Sequence, residues 1–153
     1  MFDCSHQNLE ELPKSVQPET NWLIVGNNNL ISLNRTRDYI DKIRSIDASK
    51  NKIQNISDNV LLSINRSRTM KQLNLTYNKL TSLPINFKTL KLEKIWLKGN
   101  PFTCDCNMLW MINWFNNSTV QDGKEITCGS GKKIGKLIYR LDIFKMGCAP
   151  KSI

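Results

Sequence analysis

The sequence predicts an α/β solenoid, right-handed, with a parallel β-sheet on its concave face and a cysteine-rich cap at its C-terminal end. Three observations predict it. Pairs of aliphatic residues at L-x-L spacing recur along the chain, and most are followed three residues later by an asparagine. The intervals between copies are 21, 23, 27 and 22 residues, lengths that suit one short strand per turn. Four of the five cysteines fall in the last third.

The first copy is degenerate: Phe2, Cys4, Gln7, Leu9. The next reads Leu23, Val25, Asn28, Leu30, and the third Ile43, Ile46, Ala48, Asn51, Ile53. Met70, Leu73, Leu75, Asn78, Leu80 make the fourth; Leu92, Ile95, Leu97, Asn100, Phe102 make the fifth. The two residues of each L-x-L pair alternate with exposed neighbours, so they point inward from a strand. The asparagine sits where the chain leaves the strand. Its amide can donate to and accept from backbone groups that the turn would otherwise leave unpaired. Asn28, Asn51, Asn78 and Asn100 are therefore expected to stack as a ladder that Gln7 interrupts.

The returns differ. Ser57 followed by Asp58, Asn59 and an apolar run predicts a short helix and explains the longest interval. Leu12-Pro13 and Leu83-Pro84 predict extended returns, because a residue before proline is disfavoured in helix.

After Asn100 the chain reads NPFTCDC, then Leu109, Trp110, Ile112 and Trp114 at helical spacing, then Cys128 and Cys148. Residues 107–115 fit an amphipathic helix whose tryptophans pack over the last repeat. The four cysteines leave three disulfide connectivities open. Zinc is the rival reading, but C-x-C is not a zinc-knuckle spacing. This segment resembles the C-terminal flanking cap of extracellular leucine-rich-repeat proteins. The resemblance implies the pairs Cys104–Cys128 and Cys106–Cys148. Each closes a loop of more than twenty residues.

The opening FDCSHQNLEELP resembles the second half of a leucine-rich-repeat N-terminal cap. Cys4 then reads either as a cap cysteine whose partner lies upstream or as a small residue in an inward slot. On this basis residues 1–18 form a partial N-terminal cap and first repeat, 19–99 the repeats, 100–150 the cap and 151–153 a tail. A half N-cap, few turns and this C-cap together resemble the membrane-proximal section of Toll receptors, especially the invertebrate type with several cysteine clusters. That resemblance implies a ligand-recognition or assembly module of an innate immune receptor, with a protein ligand or co-receptor chain and a homodimer as partners. The parent would carry a membrane anchor that this segment lacks. The other readings are an adhesion or matrix module, and a soluble antigen-binding repeat receptor.

Asn-x-Ser/Thr sequons stand at Asn34, Asn55, Asn65, Asn74, Asn116 and Asn117. With the cysteines they point to an oxidising, extracellular setting and to N-linked glycans. The N-terminus has no apolar leader, so the chain is read as a piece of a longer protein. The net charge of +9 is spread out, with some concentration at Lys132, Lys133, Lys136, Arg140 and Lys145. No stripe of interleaved aromatic and basic residues supports nucleic-acid binding. Enzyme readings fail on inventory: His6 is the only histidine and there is no Gly-rich phosphate loop, so no catalytic, metal or cofactor residue is assigned. The register gives an exposed central column of Asp3, Ile24, Asp47, Asn74 and Trp96. Trp22, Ile24, Asp47, Lys94, Trp96 and Lys98 are the candidate binding surface, because apolar and aromatic residues stand where a pure scaffold would be polar.

Overall fold

The computed structural model describes residues 1–34, 37–116, 119–130, 134–142 and 145–148. Along the chain run β1 (Phe2–Asp3), β2 (Trp22–Ile24), β3 (Ser32–Leu33), β4 (Ser45–Asp47), β5 (Asn55–Ile56), α1 (Asp58–Ser67), β6 (Gln72–Asn74), β7 (Lys94–Trp96), β8 (Phe102–Thr103), α2 (Leu109–Trp114) and β9 (Cys128–Ser130).

One parallel sheet takes the order β1-β2-β4-β6-β7. Phe2, Leu23, Ile46, Leu73 and Ile95 align across it, as do Asp3, Ile24, Asp47, Asn74 and Trp96. The first set faces the core, where Leu23, Ile46, Leu73 and Ile95 are all buried. Burying a side chain of that size stabilises by roughly 1.5–3 kcal/mol, so the aligned column contributes to cohesion between turns. Thr20, also buried, fills the slot that Ile43, Met70 and Leu92 hold in later repeats.

Each ladder asparagine bonds within its own turn and to the turn before. Asn51 Nδ2 donates to Ala48 O at 3.1 Å and to Val25 O at 3.0 Å, while its Oδ1 accepts Leu30 N–H at 3.0 Å. Asn28, Asn78 and Asn100 repeat the arrangement. Gln7 does not: its side chain is exposed and only its backbone N–H reaches Asn28 Oδ1. The residue before each rung is left-handed, namely His6, Asn27, Lys50, Tyr77 and Gly99, with φ from 55° to 82°. This conformation turns the chain out of the strand and aims the next amide inward.

The convex side is irregular. Strands β3 and β5 pair in parallel, and 3-10 turns span Asp38–Lys42 and Ile85–Thr89. The second turn departs from the extended return expected after Leu83. Pro84 itself is extended, but the residues after it coil to bury Phe87 completely. In α1, Ser57 caps the N-terminus by accepting Val60 N–H, and Val60, Leu61 and Ile64 face the core.

The cap closes the far end. Cys104 is bonded to Cys128 and Cys106 to Cys148. With all four cap cysteines joined as disulfides, no thiolate among them is left to hold zinc. The expected helix over 107–115 divides into a 3-10 turn at Cys106–Met108 and α2. Trp114 packs edge-on to Phe87 with centroids 5.6 Å apart, and Phe115 lies on Phe102 at 6.0 Å. The cap also supplies a sixth position to the main sheet. Val120 bridges to Ile95 in parallel, with Ile95 N–H to Thr119 O at 2.8 Å and Gln121 N–H to Ile95 O at 2.9 Å.

Candidate ligand-facing surface

Strand alternation puts the candidate residues on the face opposite the core. Trp22 is 45% exposed, and Lys94 is also exposed. Ile24, Asp47 and Trp96 are half-buried against their neighbours. The structure does not bring the two tryptophans together. They lie three strands apart, about 14 Å at ordinary strand spacing, so they do not make one aromatic patch. Lys98 leans to the cap, where its Nζ is 3.8 Å from the Glu125 carboxylate.

The polar residues of the central column are committed locally. Asp47 Oδ1 accepts Ser49 N–H at 3.0 Å and Ser49 Oγ–H at 2.6 Å. Asp3 does the same with Ser5 at 2.9 and 2.7 Å, and the Ser5 hydroxyl holds the Asp3 carboxyl below its usual range. Asn74 repeats the turn with Thr76 at 3.0 and 2.8 Å. Only Oδ1 of Asn74 is used there. Its Nδ2 is the atom that a glycan would modify.

Of the other sequons, Asn34, Asn55 and Asn116 are exposed and Asn65 is half-buried on α1. Asn116 Nδ2 donates to Ile112 O at 3.1 Å. Asn117 lies outside the described residues, as do Lys132, Lys133 and the tail. Cys4 sits half-buried in the slot aligned with Val25, its thiol is free, and burial pushes that thiol above its ordinary range. Lys136, Arg140 and Lys145 line a cleft of about 460 Å³ on the cap, where Arg140 stacks on Tyr139 at 5.4 Å.

Sequence reading missed several positions. Asp122 and Val120 finish the sheet without matching the repeat template. Arg44 and Lys71 precede their strands and read as loop, yet they stand beside Trp22 at the strand starts. Their stacking is visible only once the register is known.

No family model matches the chain. Among curated proteins it is similar to the high affinity nerve growth factor receptor of Gallus gallus, 32% identical over 131 residues, covering 83% of this chain and 16% of that protein. It is also similar to leucine-rich repeat-containing protein 3B of Homo sapiens, 31% identical over 107 residues, covering 69% of this chain and 40% of that protein. The chain thus spans less than half the length of either. Among solved structures, a chain of the Toll–Spatzle complex from Drosophila superposes with a TM-score of 0.75 at 20% identity, covering 94% of this chain and 19% of that one. That likeness is one of fold. No helix among the described residues is long and apolar enough to cross a membrane.

Proposed function

From the premise that this chain is a leucine-rich-repeat module of receptor-like type, closed by a disulfide-bonded cap, we propose that it is a protein-recognition and assembly segment of a cell-surface receptor ectodomain. In the finer reading it is the membrane-proximal segment of a Toll-type innate immune receptor. It works outside the cell, carries N-linked glycans, and engages a protein ligand or a second receptor chain, including a copy of itself. The observation that carries the reading is Asn74. It stands in the central column on the strand face opposite the core, and its hydrogen bonds with Thr76 use only Oδ1. A glycan there covers the middle of the concave face, so contacts between receptor chains fall to the flanks and the cap.

Mass spectrometry of the protein secreted from animal cells tests this. Occupied Asn74 supports it; an unmodified Asn74 removes the argument for flank and cap contacts. Solution mass of the Cys4→Ser variant tests self-association, and a strict monomer at high concentration counts against the homodimer. For the Toll-type role, the parent gene downstream of Ile153 must encode a membrane helix and a cytoplasmic Toll/interleukin-receptor domain.

A second reading has its own support. The similarity to a nerve growth factor receptor exceeds 30% identity over most of the chain, whereas the Toll likeness does not. That favours the ectodomain of a growth-factor receptor, with a different cytoplasmic domain in the parent. An adhesion or matrix role corresponds to a parent with no signalling domain.

A further inference from the structure

The strand starts build a second surface, separate from the central column. The backbone N–H groups of Arg44, Lys71 and Glu93 donate to the carbonyls of Asn21, Arg44 and Lys71 at 2.8, 2.7 and 2.8 Å. This run of bonds spaces the four residues about 4.8 Å apart along the edge of the sheet. Together with Trp22, Ser45 and Gln72 they line an open cleft of about 310 Å³. That volume is at the small end of ligand clefts, room for one or two rings. Among the described residues the ion pairs are Arg37–Glu11 and Lys98–Glu125, so neither Arg44 nor Lys71 has a carboxylate partner.

We propose that this cleft binds an acidic sugar, a pyranose bearing a carboxylate. The exposed indole of Trp22 offers a flat apolar surface for the C–H face of the ring. Arg44 and Lys71 meet the carboxylate through charge-assisted hydrogen bonds. Asn21, Ser45 and Gln72 supply donors and acceptors for hydroxyls. Glu93 decides between an acidic sugar and an acidic peptide. Its carboxylate accepts sugar hydroxyls, but it repels a run of closely spaced acidic groups. The basic cleft on the cap lacks an exposed indole and carries no such argument.

Titration calorimetry with defined probes tests the assignment, using 3′-sialyllactose, a hyaluronan tetrasaccharide, chitotetraose and a hexaglutamate peptide. At least one of the two acidic sugars binds, and the neutral sugar and the peptide bind at least tenfold more weakly. A preference for sialyllactose places the carboxylate on a terminal sugar; a preference for hyaluronan places it within a chain. Arg44→Ser combined with Lys71→Ser weakens binding tenfold or more, as does Trp22→Ala alone, and Arg44→Lys retains most of it. All of these positions lie outside the core, and unchanged melting temperatures verify that the variants fold. The triple variant Lys136→Ser, Arg140→Ser, Lys145→Ser binds as the parent does. The proposal is overturned if neither acidic sugar binds, if chitotetraose or hexaglutamate binds as well as the acidic sugars, or if only the cap variant loses binding.

Discussion

The carboxylate of Asp122 accepts the backbone N–H of Lys98 at 2.7 Å and that of Leu97 at 3.0 Å. In every earlier turn the amide in the place of Leu97 meets a carbonyl of the next strand, while those in the place of Lys98, at Ser5, Ser49 and Thr76, donate to the side chain two residues before them. After β7 there is only the short bridge at Val120, and Asp122 takes over where that bridge stops. Removing it leaves two amides at the end of the sheet without acceptors. Asp122→Ala is expected to lower stability by about 2–3 kcal/mol, measured by urea denaturation, because bonds to a charged acceptor are among the stronger ones. Asp122→Asn keeps an acceptor oxygen and should cost less.

Asn51, like Asn78, is a rung with neighbours on both sides. Its amide nitrogen reaches the carbonyls of Val25, Ala48 and Ser49, and its oxygen takes the Leu30 amide. Asn51→Leu preserves approximate volume and strands these buried groups. A loss of about 1–3 kcal/mol is expected in the same denaturation assay. Gln7→Leu has no such bonds to break in the ladder and should change stability by less than about 0.5 kcal/mol.

How much of this could be read beforehand depends on which residues repeat a chemical type. The inward column and the asparagine ladder were legible because aliphatic and carboxamide side chains recur at fixed offsets, and a sheet admits one register for such a pattern. The column positions of Trp22, Ile24, Asp47 and Trp96 follow from it. Val120 and Asp122 were not legible, since one apolar residue followed by one carboxylate carries no periodic signal. The turn before each rung was hidden for another reason. His6, Asn27, Lys50 and Tyr77 share a backbone conformation but no chemistry, and only Gly99 advertises it. The 3-10 turn after Pro84 escaped because the proline rule speaks to Leu83 and not to the residues that follow.

That shared turn predicts opposite outcomes for two small changes. Lys50 is exposed at φ 55°, where a side chain is sterically disfavoured. Lys50→Gly relieves the clash, offset in part by the greater freedom of glycine when unfolded, for a net gain of about 0.5–1 kcal/mol. Gly99 has φ 82°, and a Cβ there would run into the ring of Tyr77. Gly99→Ala is expected to destabilise by about 1–2 kcal/mol. Adding Tyr77→Ala should recover part of the loss, which thermal melts of the two variants would reveal.

The two cap bridges should contribute unequally. Cys104–Cys128 spans 24 residues and Cys106–Cys148 spans 42. Chain entropy assigns about 3.5 and about 4 kcal/mol respectively. The second bridge also anchors Cys148, eight residues beyond the 3-10 turn Ile138–Arg140 that packs on α2. Replacing Cys106 and Cys148 together by alanine should therefore lower the melting temperature more than replacing Cys104 and Cys128. If the shorter loop proves the costlier to open, packing of β8 on β9 outweighs chain entropy in this cap.

Tyr39 gives a test at high pH. Its hydroxyl donates to Pro13 O at 2.7 Å, binding the first 3-10 turn to the return after Leu12. Burial pushes its phenol from the ordinary 10 up to about 12. Between those values the unfolded chain has lost the proton and the folded chain keeps it. The folded state then binds more protons, so stability falls as pH rises through that window and is fully present below 10. Tyr39→Phe removes the titrating group and the Pro13 bond together. At neutral pH it should cost about 0.5–1.5 kcal/mol. Its denaturation midpoint should then decline less steeply than that of the parent between pH 10 and 12. Parallel decline in both proteins would mean that the phenol ionises as freely in the folded chain as in the unfolded one, and that its bond to Pro13 does not hold the turn.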